Sequence, residues 1–212
     1  MFRSAPLFAT GLLCLGLAGC AGGSAAPTTF DLVAPRSFAP GKQAKYQLVV
    51  NEPTSVQALD TNRIMIRPRA DQISYYKGAA WSDRLPHLVQ VRTIETLQNS
   101  GAVKAVTSSS DRVDGDYMLS MEIRAFQIDN ANGKPAADVD IFAKLIDNNS
   151  SKVVASKGFS TRVASASDTP SAGVAALNQA LTEVLQDTSS WVADRAPWSW
   201  GSKAEEIRTE AE

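Results

Sequence analysis

The sequence has few of the residues on which catalytic and metal sites are usually built. It holds one histidine and two cysteines in 212 residues, and His87 has no second histidine or free thiol with which to bind zinc. No glycine-rich phosphate loop follows a predicted strand, and no serine lies in a nucleophile elbow. The formal net charge is −1, so no basic surface indicates nucleic acid. We therefore expect a non-enzymatic chain without metal or cofactor.

The first twenty residues, MFRSAPLFATGLLCLGLAGC, predict a bacterial signal peptide that spans residues 1–19. Arg3 gives a positive start, and the apolar run from Leu7 to Leu17 is shorter than the roughly 20 residues that cross a bilayer. The run ends in Leu-Ala-Gly-Cys, which is typical of a lipobox. In a lipobox the chain is cleaved before the cysteine, and Cys20 then carries diacylglycerol and an N-acyl chain such as palmitate. The alternative is an ordinary signal peptide that happens to contain a cysteine.

Lipidation would account for both cysteines, since Cys14 leaves with the signal peptide and Cys20 carries lipid. Three acyl chains hold a protein stably on a membrane. Ala21, next to the cysteine, favours the outer membrane under the sorting rule of enteric lipoproteins, so we expect a protein that faces the periplasm. Residues 20–29 are small and polar, which predicts a flexible tether of up to roughly 30 Å.

Residues 30–195 carry the patterns of one domain, and residues 196–212 form a predicted tail. No second apolar run is long enough to cross a membrane. In the first half, alternation predicts short strands, and a three-residue apolar spacing that starts after the possible caps Ser82 and Asp83 predicts a helix that stops before Gly101. In that helix, Leu85, Leu88, Val91, Ile94 and Leu97 recur every three residues, with Val89 beside them. The predicted elements are extended residues Phe30–Val33, a loop over 35–45, strands Tyr46–Val50, Arg63–Arg67 and Ile73–Tyr76, and a helix over 84–99. In the strand at Arg63, we expect Ile64 and Ile66 to face the core while Arg63 and Arg67 face water.

The second half predicts three strands and a long helix. Alternation from Tyr117 slips near Ala125, which indicates a β-bulge, and Asn132–Pro135 is a turn signal. Strands over 117–128, 139–145 and 153–163, preceded by a short β-prone piece at Val103–Val106, predict an antiparallel meander with one wetter face. The final helix, over about 170–194, has one continuous apolar stripe: Val174, Leu177, Leu181, Val184, Leu185, Thr188, Trp191 and Val192.

These patterns predict an α+β fold in which two helices pack against a mostly antiparallel sheet. The alternative is a sandwich with both helices at one end. Asp138 and Asp140 share a strand face, yet a solvated sheet face explains them better than an acid–base pair. Trp198 and Trp200 in the tail either pack back on the domain or meet a membrane or partner.

The stretch YYKGAAW, residues 75–81, groups three of the eight Tyr and Trp side chains just before the first helix. We expect Gly78 to let the strand turn into the helix, and Trp81 to fix the start of the helix by packing. Tyr75 and Tyr76 point to opposite faces if the strand persists. We therefore take Tyr75, Tyr76 and Trp81 as possible partner contacts, of which one tyrosine is expected to belong to the core.

Several segments together resemble the ABC-type transport auxiliary lipoprotein family, over about Phe30 to Arg195. The most specific are LDTNRI and the pattern YY-x4-W-x-D-x-LP-x-LV, which begins at Tyr75. The others are the lipobox LAGC, TTFDLVAP, the longer segments NEPTSVQALDTNRIMIRP and ISYYKGAAWSDRLPHLVQVRTIETLQNSGAVKAV that contain the two motifs, and DYMLSMEIRAFQID.

The resemblance implies an accessory part of a transporter that also has a permease, an ATPase and an MCE-type substrate-binding protein. Such systems move lipids or other hydrophobic molecules across the cell envelope, and the resemblance carries no catalytic residues. The sequence has no surplus of apolar residues that calls for an internal lipid cavity, so we favour docking over lipid carriage. A homo-oligomer is possible. The competing readings are a lipoprotein regulator of an envelope enzyme, such as a peptidoglycan synthase, and an envelope hydrolase.

Overall fold

A computed structural model of the chain describes residues 26–38, 41 and 43–195. The predicted signal peptide, Cys20 and the tail with Trp198 and Trp200 lie outside the described residues. The predicted tether ends at residue 29, but Thr28 already begins the first strand. The elements in chain order are β1 Thr28–Phe30, β2 Ala44–Val50, β3 Thr54–Ser55, β4 Arg63–Arg69, β5 Gln72–Trp81, α1 Leu85–Ser100, β6 Val103–Ser108, a 3-10 turn Ser109–Asp111, β7 Tyr117–Asp129, β8 Ala136–Asp147, β9 Lys152–Ala164 and α2 Pro170–Asp194.

All nine of these strands belong to one sheet, so the α+β prediction is confirmed and the sandwich alternative is wrong. On one edge of β7, β8 and β9 form the predicted antiparallel meander. On its other edge, β7 pairs in parallel with β2, β3 and β4 in succession. The sheet continues through β6, parallel to β2, and through β5 and β1.

The sheet is therefore mixed, and the prediction of a mostly antiparallel sheet needs correction. The reason is the length of β7, whose 13 residues give room for three shorter strands end to end. The chain first forms β2, β3 and β4 along that edge, each parallel to β7. It then makes a long crossover through β5, α1 and β6 before it forms β7 itself. Parallel pairing needs such a crossover.

Helix α2 packs against the meander as its stripe predicts. Every residue of the predicted stripe is buried, and Trp191 meets Phe159 of β9 edge-to-face with ring centroids 5.8 Å apart. The buried residues on the sheet are every second residue of β7 from Leu119 to Ile123 and of β8 from Val139 to Leu145. The β-bulge near Ala125 is confirmed by a register shift there against β8.

Helix α1 has the predicted extent but a different buried face. Val91 and Ile94 are half-buried, whereas the polar residues Gln90, Thr93 and Thr96 are buried. A spacing of three drifts away from the 3.6-residue turn, so the predicted stripe leaves the buried face at Val91 and Ile94 and returns to it at Leu97, which is buried. The buried polar groups have partners: the Gln90 side-chain amide donates to the carbonyl of Val50 at 2.9 Å, and each threonine hydroxyl donates to the carbonyl four residues earlier.

The predicted end of α1 is confirmed, and its predicted capping residue is wrong. Gly101 has φ of 63° and closes the helix in the left-handed region, as glycine does readily. The first residue before the helix is Arg84 rather than Ser82 or Asp83, and no side chain caps it. Asp83 accepts a hydrogen bond from the Arg84 amide instead, at 2.6 Å.

Strand β4 departs from simple alternation. Ile64 is buried as predicted, but Met65 is buried as well, and both Ile66 and Arg67 are half-buried. The register against β5 shifts between Arg63 and Met65. A shift of this kind turns consecutive residues towards the same face, which is why alternation alone misplaced them.

Candidate functional site

The stretch YYKGAAW forms the second half of β5 and continues as strand to Trp81. The expected turn at Gly78 is wrong. Gly78 adopts φ of 66°, a conformation open to glycine, yet the strand persists because Thr28–Phe30 of β1 pair in parallel with Ala79–Trp81. The stretch is thus held between β4, which pairs with Tyr75 and Ala80, and β1, the strand that follows the predicted tether.

Trp81 lies in the core rather than on a surface. Its side chain is 2% exposed and meets the ring of Phe126 edge-to-face at 6.0 Å between centroids. A residue buried to this degree cannot contact a partner in this conformation, so Trp81 is corrected from a possible contact to a core residue. Its expected packing role next to α1 agrees with this burial.

Tyr75 and Tyr76 are both half-buried and both pack against the core. The Tyr75 hydroxyl donates to the carbonyl of Ala58 at 3.0 Å, and the guanidinium of Arg63 lies 3.6 Å from the centre of its ring. Tyr76 packs on α2, where a side chain at Gly173 would lie 2.8 Å from its hydroxyl. Burial and the Asp168 carboxylate raise the pKa of Tyr76. The role of Tyr75 and Tyr76 as partner contacts stays a prediction.

The two most specific motifs of the sequence meet in space. We call residues 58–63 and 81–86 the motif junction. The Trp81 amide donates to the carbonyl of Asn62 at 2.7 Å, and the Leu85 amide donates to that of Thr61 at 3.1 Å. The loop before β4 thereby satisfies backbone groups at the start of α1, which lacks a side-chain cap.

Ion pairs close the solvent side of the motif junction. Arg84 lies 2.6 Å from the carboxylate of Asp60 and 3.0 Å from that of Glu52, and its side chain is 49% exposed. The hydrogen bond from the Arg84 amide, followed by that from His87, lowers the pKa of Asp83. His87 is exposed and paired with Asp83 at 2.8 Å. Such exposed pairs fix orientation more than they add stability.

A second group of contacts starts at Asp31, directly after β1. Its carboxylate accepts hydrogen bonds from Ser82 at 3.0 Å and from Arg92 of α1 at 2.7 Å. Burial works to raise the pKa of Asp31, but the hydrogen bonds from Arg92 and Ser82 outweigh it and hold the pKa below its usual value. The chain that leaves β1 is thus fixed to both the end of β5 and the middle of α1.

Residues 31–37, which we call the strap, then cross both helices. Asn178 of α2 holds the strap from two sides, since it accepts from the Val33 amide at 2.8 Å and donates to the carbonyl of Asp31 at 3.2 Å. Asn99 of α1 donates to the carbonyl of Pro35, and Gln186 of α2 donates to that of Ser37, each at 3.1 Å. Side chains of the helices thereby replace a sheet as the partners of the strap backbone.

An open groove of about 490 Å³ runs between the strap and α1. Its lining includes both signs of charge, from Asp31, Arg36, Arg92 and Glu95. Arg92 binds both Asp31 and Glu95, and its side chain is 17% exposed. The groove therefore suits polar contact and does not have the apolar walls that a lipid tail needs.

Among the described residues, no three His, Cys, Asp or Glu side chains are grouped so that they could hold a metal ion. Within the same residues, neither helix combines the length and the apolar character needed to cross a membrane. Asp138 is half-buried on the wetter sheet face, and its carboxylate accepts a hydrogen bond from Gln127 at 3.4 Å. Asp140 is half-buried two residues further along β8.

The strap contacts were missed at the sequence level. Asp31 and Arg92 are 61 residues apart, and Val33 and Asn178 are 145 apart. Single polar residues at such separations carry no periodicity or spacing that could have signalled their contact. The one usable sign was TTFDLVAP, the segment that contains most of the strap.

Comparisons with known proteins agree with this fold. A family model described as the ABC-type transport auxiliary lipoprotein component matches residues 29–188. The curated but uncharacterized protein bll6063 of Bradyrhizobium diazoefficiens is 32% identical over 171 residues, which make up 80% of this chain and 46% of that protein. The chain thus spans about half the length of this relative.

Two solved structures share the architecture. The crystal structure of XCC0632 from Xanthomonas campestris, assigned to the family DUF330, has a TM-score of 0.74 at 28% identity and covers 79% of this chain and 95% of that chain. The crystal structure of an uncharacterized protein has a TM-score of 0.60 at 14% identity and covers 81% of this chain and 99% of its own. The second likeness concerns the fold alone.

Proposed function

This chain belongs to the ABC-type transport auxiliary lipoprotein component family, and from that membership we propose that it is the docking component of an envelope transporter. In this proposal it is a non-enzymatic lipoprotein, anchored through Cys20 in the outer membrane and facing the periplasm. It receives an MCE-type substrate-binding protein, which acts with an ABC permease and ATPase to move lipids or other hydrophobic molecules. The match over residues 29–188 is the observation that carries the proposal.

The strap supports an anchoring role. The chain enters the domain through β1, and the strap that follows is bound to Arg92, Asn99, Asn178 and Gln186 on the two helices. Any force that reaches β1 along the preceding chain is therefore spread over both helices rather than over three strand residues alone. A docking protein that is held by one end and contacts a partner with its body needs this kind of attachment.

Docking is favoured over lipid carriage by the character of the grooves. The groove beside the strap is lined by charged side chains. A groove of about 310 Å³ between the ends of the helices has a mixed lining of small residues, the polar Ser100, Ser189 and Gln186, and one large apolar side chain, Phe38. Lipid-binding sites are predominantly apolar, so we assign the cargo to the partner.

Co-purification tests the proposal. We expect the detergent-extracted lipoprotein to bring down an MCE-type protein after mild crosslinking in intact cells. Recovery of the lipoprotein without an MCE-type partner would contradict the transport role. Recovery of a peptidoglycan synthase in its place would support the regulator instead.

Fractionation tests the anchor. Cys20→Ser should leave the signal peptide uncleaved or release the protein from the membrane, because the variant lacks the thiol that accepts lipid. Cys14→Ser is the matched control, since Cys14 lies within the predicted signal peptide, and it should fractionate with the outer membrane like the wild type. Normal outer-membrane localisation of Cys20→Ser would contradict lipidation at this residue.

A further inference from the structure

Strand β9 is an open edge of the sheet. It pairs only with β8, and among the described residues no strand lies on its other side. One register shift leaves Val154 without a partner, after which the pairing is regular from Ala155 to Ala164. The outer edge of such a strand presents a row of N–H and C=O groups that another strand can pair with.

This edge is exposed but firmly supported. Ser156, Lys157, Gly158 and Ser160 are exposed, while Phe159 between them is 4% exposed and packs on Trp191 of α2. The strand therefore stays in its extended conformation without a partner. A strand added to it would meet a preformed template, which lowers the entropy cost of binding.

The charge of β9 has one sign. From Lys152 to Ala164 the strand carries Lys152, Lys157 and Arg162 and no acidic residue. Arg162 already pairs with Asp129 of β7 at 3.0 Å and lies opposite Asp138. Asp140, opposite Ser160, adds a second carboxylate to that end of the strand.

The uncompensated cations lie at the other end of the regular edge. Lys157 lies opposite the buried Ala143, on the face of the sheet against which α2 packs, whereas Lys144 of β8 lies opposite Ser156, on the other face. Neither lysine has a carboxylate within ion-pair distance among the described residues. Glu122 and Arg124 of β7, further across the face that carries Lys144, are paired with each other at 3.5 Å.

We propose that β9 is a docking edge for an extended acidic segment of a partner protein, which adds to the sheet as a further strand. The backbone edge supplies hydrogen bonds, and Lys144 and Lys157 attract carboxylates of the added strand. A second copy of β9 is a poor occupant, because it would bring another strand of cations against this one. The proposal rests on the proposed function for its setting, since it names the surface through which docking occurs.

A peptide assay tests this surface directly. The probe is a labelled twelve-residue peptide of repeated Val-Val-Glu-Glu, which places glutamates on both faces of the added strand, titrated into the detergent-solubilised lipoprotein and followed by fluorescence anisotropy. We expect it to bind about tenfold more tightly than the same peptide with lysine for glutamate, since two exposed ion pairs contribute about that factor. An acidic peptide with N-methyl groups on every residue should lose binding, because neither of its edges can then donate hydrogen bonds to β9.

Charge reversal locates the site. The double variant Lys144→Glu, Lys157→Glu should weaken the acidic peptide at least tenfold and reverse the preference between the two peptides. The matched control is Lys45→Glu, Lys104→Glu, which makes the same change on β2 and the opposite edge strand β6 and should leave binding unchanged. The proposal would be overturned if the methylated peptide bound as tightly as the unmethylated one, or if both double variants weakened binding equally. Self-association through β9, measured by sedimentation, would overturn it as well.

The same variants separate this proposal from the proposed function. Reduced recovery of the MCE-type protein with the β9 double variant supports both. Unchanged recovery overturns the β9 edge as the docking site and leaves the docking role standing. If the wild type recovers no MCE-type protein, the docking role is contradicted. In that case the peptide assay alone tests whether the β9 edge binds an acidic strand.

Discussion

Two halves of this molecule are held together by different means. The meander β7–β9 with α2 is joined by buried apolar side chains, such as Leu181 at 0% exposure and Val139 at 0%. The other half, made of the strap, the motif junction and α1, shares that apolar core through residues such as Leu88 and Leu97 and adds polar contacts between distant residues. Asp31 pairs with Arg92, and Arg84 pairs with Asp60. Both halves share the apolar core, and the polar contacts of the second half also fix how the entering chain is attached.

This difference matters for function because each half tolerates change differently. Buried apolar area contributes about 25 cal/mol per Å², so the meander and α2 are sensitive to any loss of volume. Exposed ion pairs contribute little each, so single changes at the exposed charged residues Asp60 and Arg84 of the motif junction should leave the fold intact. Variants of the polar half can therefore test attachment and docking without unfolding the protein.

The largest effect is expected in the core of the stable half. Leu181→Ala should lower the free energy of unfolding by about 3 kcal/mol, because it removes three buried carbon atoms and leaves a cavity. Urea unfolding followed by circular dichroism measures it. Gln179→Ala, on the exposed side of the same helix, is the control and should stay within about 0.5 kcal/mol of wild type. Similar losses for both would mean that α2 does not pack as described.

A substitution at Gly173 of α2, where Tyr76 of β5 packs on the helix, should have a smaller effect on stability. Gly173→Ala places a Cβ 2.8 Å from the Tyr76 hydroxyl and 3.0 Å from Cγ1 of Ile128. We expect a net loss of about 1 kcal/mol, since overpacking outweighs the gain in helix propensity.

A double-mutant cycle shows whether Tyr76 is the cause. In a Tyr76→Ala background the same Gly173→Ala change should cost less or become stabilising, because the contact with the ring is gone. Additive effects of the two substitutions would show that Tyr76 does not pack on α2. They would also return Tyr76 to the list of free candidate contacts.

The strap should show a smaller, pH-dependent effect. Asp31→Asn should cost no more than about 1 kcal/mol at neutral pH, because the Asp31 carboxylate is half exposed to solvent. The pKa of Asp31 is lowered in the fold, so its contribution is present above the usual value of about 3.9 and is lost as the pH falls through the folded pKa.

Urea unfolding at neutral and acidic pH checks this sign. The difference between wild type and Asp31→Asn should close as the solution is acidified. Asp71→Asn, in the exposed turn between β4 and β5, removes the same charge at a position where no ion pair is found among the described residues. It should show no such closing difference. A gap between wild type and Asp31→Asn that persists in acid would show that the charge on Asp31 is not what binds Arg92.

The smallest effect is expected at the surface of the motif junction. Arg84→Ala removes two ion pairs with Asp60 and Glu52, yet we expect the thermal midpoint to stay within measurement error, since all three side chains are at least 40% exposed. The midpoint of the wild type should likewise be insensitive to added salt. A drop of several degrees would place this region among the structural parts of the fold.

The long elements of the second half could be predicted from the sequence with little error, whereas β3 was missed and β5 extends past its predicted end at Tyr76. Alternation in β7 and β8, the slip near Ala125 and the stripe of α2 all reflect local periodicity that tertiary packing preserves. The candidate contact residues were predicted less well, because Trp81 is buried and strand β5 continues past Gly78. Beyond Gly78 the strand pairs on one edge with β4 and on the other with β1, about fifty residues earlier in the chain. No local pattern reports the pairing with β1.

The sequence by itself determined the two helices, the meander and the membership of the family, because each depends on residues close together in the chain or on short motifs. Only the tertiary structure decided that the sheet is mixed, that the two motifs meet, and that the strap crosses both helices. These features follow from pairings between residues far apart in sequence, such as Asp31 with Arg92 and Val33 with Asn178. Such pairings depend on where the core places each element, and this information is not local to any segment.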